Sequence, residues 1–336
     1  MKVLAAVDKF RGTATAAQVA TAIGHACWQL GHDCIERPLA DGGEGTLDAL
    51  GGPNRTTMVE GPLGKPVRAP WRLHRGTAII EMALASGLLL AGGRQKNNPV
   101  DATTTGTGQL IDAALNLGAS RIIVCLGGSA TTDGGLGALK AIQSPGRLKG
   151  VDFVVACDVT TSFTDAAKVF APQKGASTAQ VSLLTTRLQR LVQVYVDEYG
   201  VDVSTIAGAG AAGGLAGGLA ALGARLVPGF DLVAEEVLLD ELLLETDFII
   251  TGEGFMDSES FNGKVVGSMV ELAVAKKLGI AAICGDIHAG VKSRLEVVSL
   301  VEKFGRDVAV SQPLRCIEHA ALQILRDRVA SRTSRL

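Results

Sequence analysis

The sequence predicts an α/β protein built on largely parallel sheets. Three observations carry that expectation. Short apolar runs of strand length recur along the chain, segments with apolar residues at helical spacing separate them, and polar, glycine-containing loops follow the runs. Strands joined through helices need a crossover connection, and a crossover returns the chain parallel to where it began.

Lys2–Val7 reads as a short buried strand. Thr15 and Gln18 then stand at capping-box spacing, and Val19, Ile23, Cys27 and Leu30 recur at helical intervals until Gly31 stops the helix. An extended segment containing Pro38 follows. Residues 77–82 read as a strand, 108–117 as a helix capped by Gly118, and 121–126 and 151–157 as strands. A long helix is expected over Thr178–Tyr199, because Val181, Leu184, Leu188, Leu191 and Tyr195 share one face. Residues 247–251 and 280–284 make two further strands, separated by a helix over 265–278.

A length of 336 residues gives roughly two domains at about 150 residues each. The crossings between them are expected at residues 60–64 and 228–240, where turn residues collect. Lys and Arg number 32 against 34 Asp and Glu, a net charge of -2, which removes the electrostatic basis for general nucleic-acid or anionic-membrane binding. The six cysteines, at 27, 34, 125, 157, 284 and 316, are scattered without CxxC spacing and read as reduced thiols of a reducing compartment. The apolar run at residues 1–7 is too short for the core of a signal peptide, so a cytoplasmic location is expected. Residues 203–224 are uncharged and hold Gly210, Gly214 and Gly218 at GxxxG spacing, yet they are mostly Gly and Ala. A glycine-rich loop and helix fits that composition better than a membrane span.

In parallel α/β sheets, ligands bind at the carboxyl ends of strands. Five polar loops fall there: Asp8, Lys9 and Arg11; Asp41-Gly42-Gly43-Glu44-Gly45-Thr46; residues 127–135, with Gly128, Ser129 and Asp133; Cys157-Asp158-Val159-Thr160; and Thr251-Gly252-Glu253-Gly254. Taken singly, each residue has an ordinary structural use as a cap, a turn carboxylate or a solvated charge, as do Lys174 and Lys264. Their joint placement after strands points to one functional region.

Residues 103–108, with Gly106, Thr107 and Gly108, and the 127–135 loop offer backbone N–H groups of the kind that hold phosphate oxygens. The standard P-loop is absent, since Gly263-Lys264 lacks both the upstream glycine and the following Ser or Thr. Residues 208–213 match GxGxxG, with Asp231 near the spacing of a ribose-binding acid, but the segment before them is a poor strand. There is no HExxH, no Cys/His set of zinc type, and Ser129 is not in a GxSxG elbow. Carboxylates with Lys and Arg remain. That inventory suits Mg²⁺-assisted phosphoryl transfer, where catalysis is mostly positioning and charge neutralisation.

At these residues the chain resembles the bacterial type 1 glycerate kinase family. The resemblance runs in order from Asp8-Lys9-Phe10-Arg11 through Ala40 to Thr46, Gly61-Pro62-Leu63-Gly64, Glu81-Met82-Ala83, Ser86-Gly87-Leu88 and Gly106-Thr107-Gly108. It continues through Gly127 to Gly135, Ala156 to Thr160, Pro172-Gln173-Lys174-Gly175-Ala176, Gly208 to Leu215, Thr251 to Gly254 and Gly263-Lys264. It departs at Thr132 and Thr161, where the family often has Asn, at Thr105 in place of an aromatic, at Phe255 in place of a basic residue, and in a shorter middle after Gly135.

The resemblance implies ATP- and Mg²⁺-dependent phosphorylation of D-glycerate at the 2-hydroxyl, with these small molecules as partners, no nucleic acid or membrane, and an oligomeric state left open. It also implies two α/β domains facing a cleft: a flavodoxin-like domain of residues 1–60 and 241–336, and an inserted restriction-endonuclease-like domain of residues 61–240. In that frame Lys9 and Arg11 hold the glycerate carboxylate or the transferring phosphate, and Asp41 orients or deprotonates the acceptor hydroxyl. Asp8, Glu44, Lys174 and Lys264 join Arg11 around the substrate. Gly106, Thr107, Gly108, Gly128, Ser129 and Asp133 meet the nucleotide phosphates, and Asp158 or Glu253 holds Mg²⁺. The alternatives are transfer to the 3-hydroxyl or to another small hydroxy acid, a nicotinamide-dependent oxidoreductase using residues 208–213, and a noncatalytic metabolite-binding protein.

Overall fold

The computed structural model describes residues 1–261, 263–288 and 296–333. Among these residues the strands, in chain order, are Lys2–Val7 (β1), Asp33–Pro38 (β2), Arg55–Glu60 (β3), Pro66–His74 (β4), Thr77–Glu81 (β5), Arg121–Cys125 (β6), Asp152–Ala156 (β7), Arg225–Val227 (β8), Phe248–Met256 (β9), Gly279–Ile287 (β10) and Glu296–Ser299 (β11). The chain divides into two compact units. The first comprises Met1–Asp41, Asp48–Leu50 and Phe230–Leu336, the second Gly42–Leu47 and Gly51–Gly229.

The first unit holds a five-stranded sheet in the order β11-β10-β9-β1-β2, and every pairing in it is parallel. Read from β2, this is the flavodoxin-like order, with the reversal of strand order between β1 and β9. Alternation along β1 feeds two cores. Val3, Ala5 and Val7 face a cluster with Ile23, Cys27, Ile317 and Ile324, while Leu4 and Ala6 face Leu39, Phe230, Leu243 and Met269. The helix Ala16–Gln29 starts where expected, with Thr15 and Gln18 forming a capping box.

The second unit holds a six-stranded sheet in the order β3-β4-β5-β6-β7-β8. Strands β5 to β8 pair in parallel, as the alternation of strands and helices predicts, whereas β3, β4 and β5 are antiparallel neighbours. The antiparallel part is hidden in the sequence, since Pro66 and Pro70 of β4 argue against a strand in isolation. Burial of Ala69 and Trp71 overrides that propensity, and the Trp71 indole donates to Thr57 Oγ1 at 2.9 Å. Gly61 to Gly64, placed by the sequence between domains, closes the β3–β4 hairpin, with Gly64 N donating to Gly61 O at 3.1 Å. The helix Thr178–Tyr199 has its expected bounds and buries Leu184, Leu188 and Tyr195. The glycine-rich stretch forms a short 3₁₀ turn, Val203–Thr205, and a helix, Ala211–Ala221, broken by left-handed residues at 212–214. Among the described residues no helix is long and apolar enough to cross a membrane.

Candidate active site

In the first unit, the loop after β1 carries Asp8, Lys9 and Arg11. Phe10, 2% exposed, anchors it, and paired backbone hydrogen bonds between Phe10 and Ala14 close it into a tight turn. Gly254, on β9, lets this loop lie against the neighbouring strand. A Cβ there would stand 2.9 Å from Arg11 N and 3.0 Å from Phe10 Cα, closer than side-chain atoms tolerate.

The loop brings carboxylates together. Asp8 Oδ1 accepts from Lys9 N at 2.7 Å and lies 3.6 Å from Lys9 Nζ. Burial pushes the Asp8 carboxyl up to about 6; Lys9 opposes the shift and the charge of Asp41 adds to it. Glu253 on β9 is pushed up to about 7, first by burial, with a hydrogen bond from Ser260 opposing, Asp8 adding, Lys264 opposing and Asp257 adding. Its Oε1 is buried without a hydrogen-bond partner. Asp8 thus senses Lys9 and Asp41, and Glu253 senses Asp8 and Lys264, around the carboxyl ends of β1, β2 and β9, where the strand order reverses between β1 and β9. Lys264 also stands 3.9 Å from Glu259 and precedes the helix Val265–Lys276. Arg11 is exposed on the same loop.

The remaining sequence candidates lie in the second unit and are largely engaged with their own unit. Asp133 Oδ2 accepts from Thr104 N and Thr104 Oγ1, both at 2.8 Å, and from Gly137 N at 3.2 Å, while Oδ1 accepts from Gly135 N at 3.1 Å. Ser129 Oγ accepts from Thr131 N at 3.1 Å. Lys174 is 3% exposed, and its Nζ donates to Thr131 O at 2.6 Å and Ser129 Oγ at 3.4 Å. Burial lowers its pKa to about 7, against the pull of Asp133. Ser129 and Asp133 thus brace the 127–135 loop from within, and Lys174 ties it to the segment after the helix Ala166–Phe170.

Gly106 and Gly108 sit in the helix Thr105–Asn116, where a Cβ would meet Glu60 O at 2.2 Å and Ala138 O at 2.3 Å. Thr107 Oγ1 bonds Ser86 Oγ at 2.9 Å. Gly128 has a left-handed backbone, φ 60°, and its carbonyl accepts from Leu88 N at 2.7 Å. Glu44 is exposed, its backbone beside Gly127. Asp158 Oδ1 accepts from Gly229 N at 2.6 Å. Of the departures from the family pattern, Thr132 Oγ1 is buried without a hydrogen-bond partner, Thr161 O accepts from Gly210 N at 3.0 Å, Thr105 Oγ1 bonds Thr103 Oγ1 at 2.7 Å, and Phe255 is half exposed.

Glu81 was not assigned a role from sequence. It is 4% exposed at the end of β5, and its Oε1 accepts from Gly45 N at 2.9 Å and Leu47 N at 2.7 Å, so it shapes the loop that carries Glu44. A lone acid ending an apolar strand was the available signal. The GxGxxG match has a different use from a dinucleotide site. A Cβ on Gly210 would stand 2.2 Å from Ser162 O and one on Gly213 2.0 Å from Thr131 O, so neighbouring loops fill the space a pyrophosphate needs. The element before it is the 3₁₀ turn rather than a strand.

Comparison with known proteins places the chain in a family. The model of the glycerate kinase family matches residues 3–146 and 143–328. A glycerate kinase of Halalkalibacterium halodurans is 37% identical, with 96% of this chain and 97% of that protein aligned. A glycerate 2-kinase of Escherichia coli is 35% identical over 93% of this chain and 90% of its own length. A crystal structure from Salmonella typhimurium LT2, provisionally named glycerate kinase 2, superposes with a TM-score of 0.86 at 31% identity, covering 99% of both chains. Matched along nearly its whole length in sequence and in fold, the chain belongs to the glycerate kinase family.

Proposed function

We propose that this protein transfers the terminal phosphoryl group of ATP to the 2-hydroxyl of D-glycerate, giving 2-phosphoglycerate and ADP. The observation that carries this function is the near end-to-end match to named glycerate kinases, one of them a glycerate 2-kinase. The charged group at the ends of β1 and β9 has the chemistry the reaction needs. The hydroxyl oxygen forms a bond to the terminal phosphorus as the bond to the bridging oxygen of ADP breaks, and the hydroxyl proton leaves to a carboxylate. Asp41 is the candidate acceptor of that proton. Lys9 and Arg11 offset the charge of the glycerate carboxylate or the moving phosphoryl group, and Arg11 can do so in bidentate fashion.

Phosphoryl transfer from ATP calls for Mg²⁺, which carboxylates of this chain would hold together with the nucleotide phosphates. Among the described residues no three His, Cys, Asp or Glu side chains stand so as to hold a metal ion; Mg²⁺ at a kinase site is held by one or two carboxylates and the substrate's own phosphates. Glu253 suits that role, because its buried Oε1 has no other partner. Bound there, the ion would draw charge from the phosphate oxygens. Ser129, Asp133 and Lys174 would act by shaping the 127–135 loop, Gly128 by its backbone, and Gly106 to Gly108 through the first N–H groups of their helix. Free thiols at all six cysteines and ATP as co-substrate support a cytoplasmic setting.

Steady-state release of ADP from Mg-ATP, with D-glycerate, L-glycerate or glycolate as acceptor, tests this function. Strong stimulation by D-glycerate and a phosphorus NMR spectrum of 2-phosphoglycerate are expected. A 3-phosphoglycerate signal would move the transfer to the other hydroxyl, and no stimulation would remove the activity. Arg11→Ala is expected to raise the glycerate KM by about tenfold, roughly 1.4 kcal/mol; unchanged kinetics would take Arg11 out of the site.

A further inference from the structure

Next to the charged group, the first unit holds an open pocket of about 270 Å³, of whose lining the reaction scheme above uses Arg11 alone. Phe10, Arg11 and Gly254 border it at the ends of β1 and β9, and Gly285 and Asp286 at the end of β10. Its apolar wall comes from the helices Leu300–Phe304 and Arg306–Ser311, through Leu300, Val301, Ala309 and Val310. Phe255 is 50% exposed at its edge, and Arg306 pairs with Asp286 Oδ2 at 2.5 Å across its polar side.

The chemistry of the walls selects among the reactants. Glycerate carries a carboxylate and two hydroxyls on three carbons, so it gains nothing from an apolar wall and would lose water by entering one. Phosphates are excluded for the same reason. The only reactant with a flat apolar face is the base of the nucleotide, and a half-exposed phenyl ring is a stacking surface for it. The rim of a purine offers both amino donors and ring-nitrogen acceptors, which a carboxylate beside a guanidinium can meet together. Arg11, which lines the same pocket, stands three positions after Asp8, so the pocket lies beside the loop that carries part of the charged group. The rival nucleotide motif at residues 208–213 is filled by backbone, as shown above.

We propose that this pocket receives the purine base of the nucleotide co-substrate, with Phe255 as its stacking face and the Asp286–Arg306 pair at its polar rim. The proposal rests on the kinase function given above, and the experiment separates the two. ADP binding is measured by calorimetry on the wild-type protein, Phe255→Ala and Val310→Trp, beside the KM for ATP and for D-glycerate. Phe255→Ala is expected to weaken ADP binding and raise the ATP KM by about tenfold, with the glycerate KM held within about twofold. Val310→Trp, which introduces an indole from a helix face that is 54% exposed, is expected to weaken ADP further. Unchanged ADP affinity in both variants, with unchanged melting temperatures, would overturn the pocket assignment while leaving the kinase function standing. ADP binding lost in both variants of a protein without glycerate-dependent turnover would support the pocket and overturn the kinase. Photolabelling of the wild-type protein with 8-azido-ADP makes the test independent of variant folding. Adducts on the peptides carrying Phe255 or residues 306–311 are expected, and adducts confined to other peptides would overturn the assignment.

Discussion

Glu253→Gln is expected to make the protein more stable at pH 8 while removing its phosphotransfer activity. Burial holds the Glu253 carboxyl near 7, against an ordinary value of 4.5. The folded state therefore keeps the proton more firmly than the unfolded chain does. Between pH 4.5 and about 7 the native protein binds more protons, so its stability falls as pH rises through that window. Above it the full cost of an ionised buried carboxylate is present, and Gln does not carry that cost. The gain at pH 8 is about 1–3 kcal/mol and fades toward pH 4.5. Asp8, raised from 3.8 to about 6 chiefly by its own burial, adds a similar slope over a lower window. For activity the sign reverses. A neutral amide is a poor partner for Mg-ATP, and kcat is expected to fall by about a hundredfold or more. Thermal melts at pH 5 and pH 8 beside steady-state kinetics decide the matter. Equal stability at pH 8 would refute the buried-carboxylate account, and a retained kcat would take Glu253 out of the reacting group.

Asp133→Ala is expected to cause a large loss of stability in the second unit. The carboxylate collects four hydrogen bonds, and Thr104 Oγ1, which donates to it, also accepts from Ala138 N at 2.9 Å. Alanine strands the Thr104 N–H and hydroxyl at a residue with 0% exposure, and it takes away the negative charge that offsets the buried ammonium of Lys174. Each stranded donor costs about 1–3 kcal/mol, so a total near 3–5 kcal/mol is expected. Asparagine keeps one acceptor oxygen and should lose roughly half as much. Trp71 is 1% exposed in the second unit, and the other tryptophan, Trp28, is 80% exposed in the first. In a Trp28→Phe background, denaturant unfolding followed by Trp71 fluorescence therefore reports the second unit. A loss below about 1 kcal/mol would show that the network is not worth what its geometry implies.

The two variants divide the expected site. Glu253 was legible as a functional candidate because it stands between two glycines after an apolar run; the structure carries β9 on through it and places it among charged neighbours with one oxygen unpartnered. Asp133 had the same outward signature, yet its oxygens accept from backbone and hydroxyl donors of its own unit. Composition and position cannot separate these cases, because the difference lies in which donors surround each carboxylate once the chain is folded.

Local regularities carried the rest of what the amino-acid order determined by itself. The capping box at Thr15, the short apolar run of β1 and the single apolar face of Thr178–Tyr199 involve residues a few positions apart, so they survive folding unchanged. The ordered motifs that mark the family are likewise read along the chain. Only the tertiary structure decided the rest. It paired β3 with β4 despite two prolines, buried Lys174 against a carbonyl 43 positions away, set Glu81 under a loop 34 to 36 positions before it, and filled the space around Gly210 and Gly213 with other loops. Burial, desolvation and the room around a Cβ depend on atoms distant in sequence, and these quantities separate a glycine or a charge that meets a ligand from one that holds the fold.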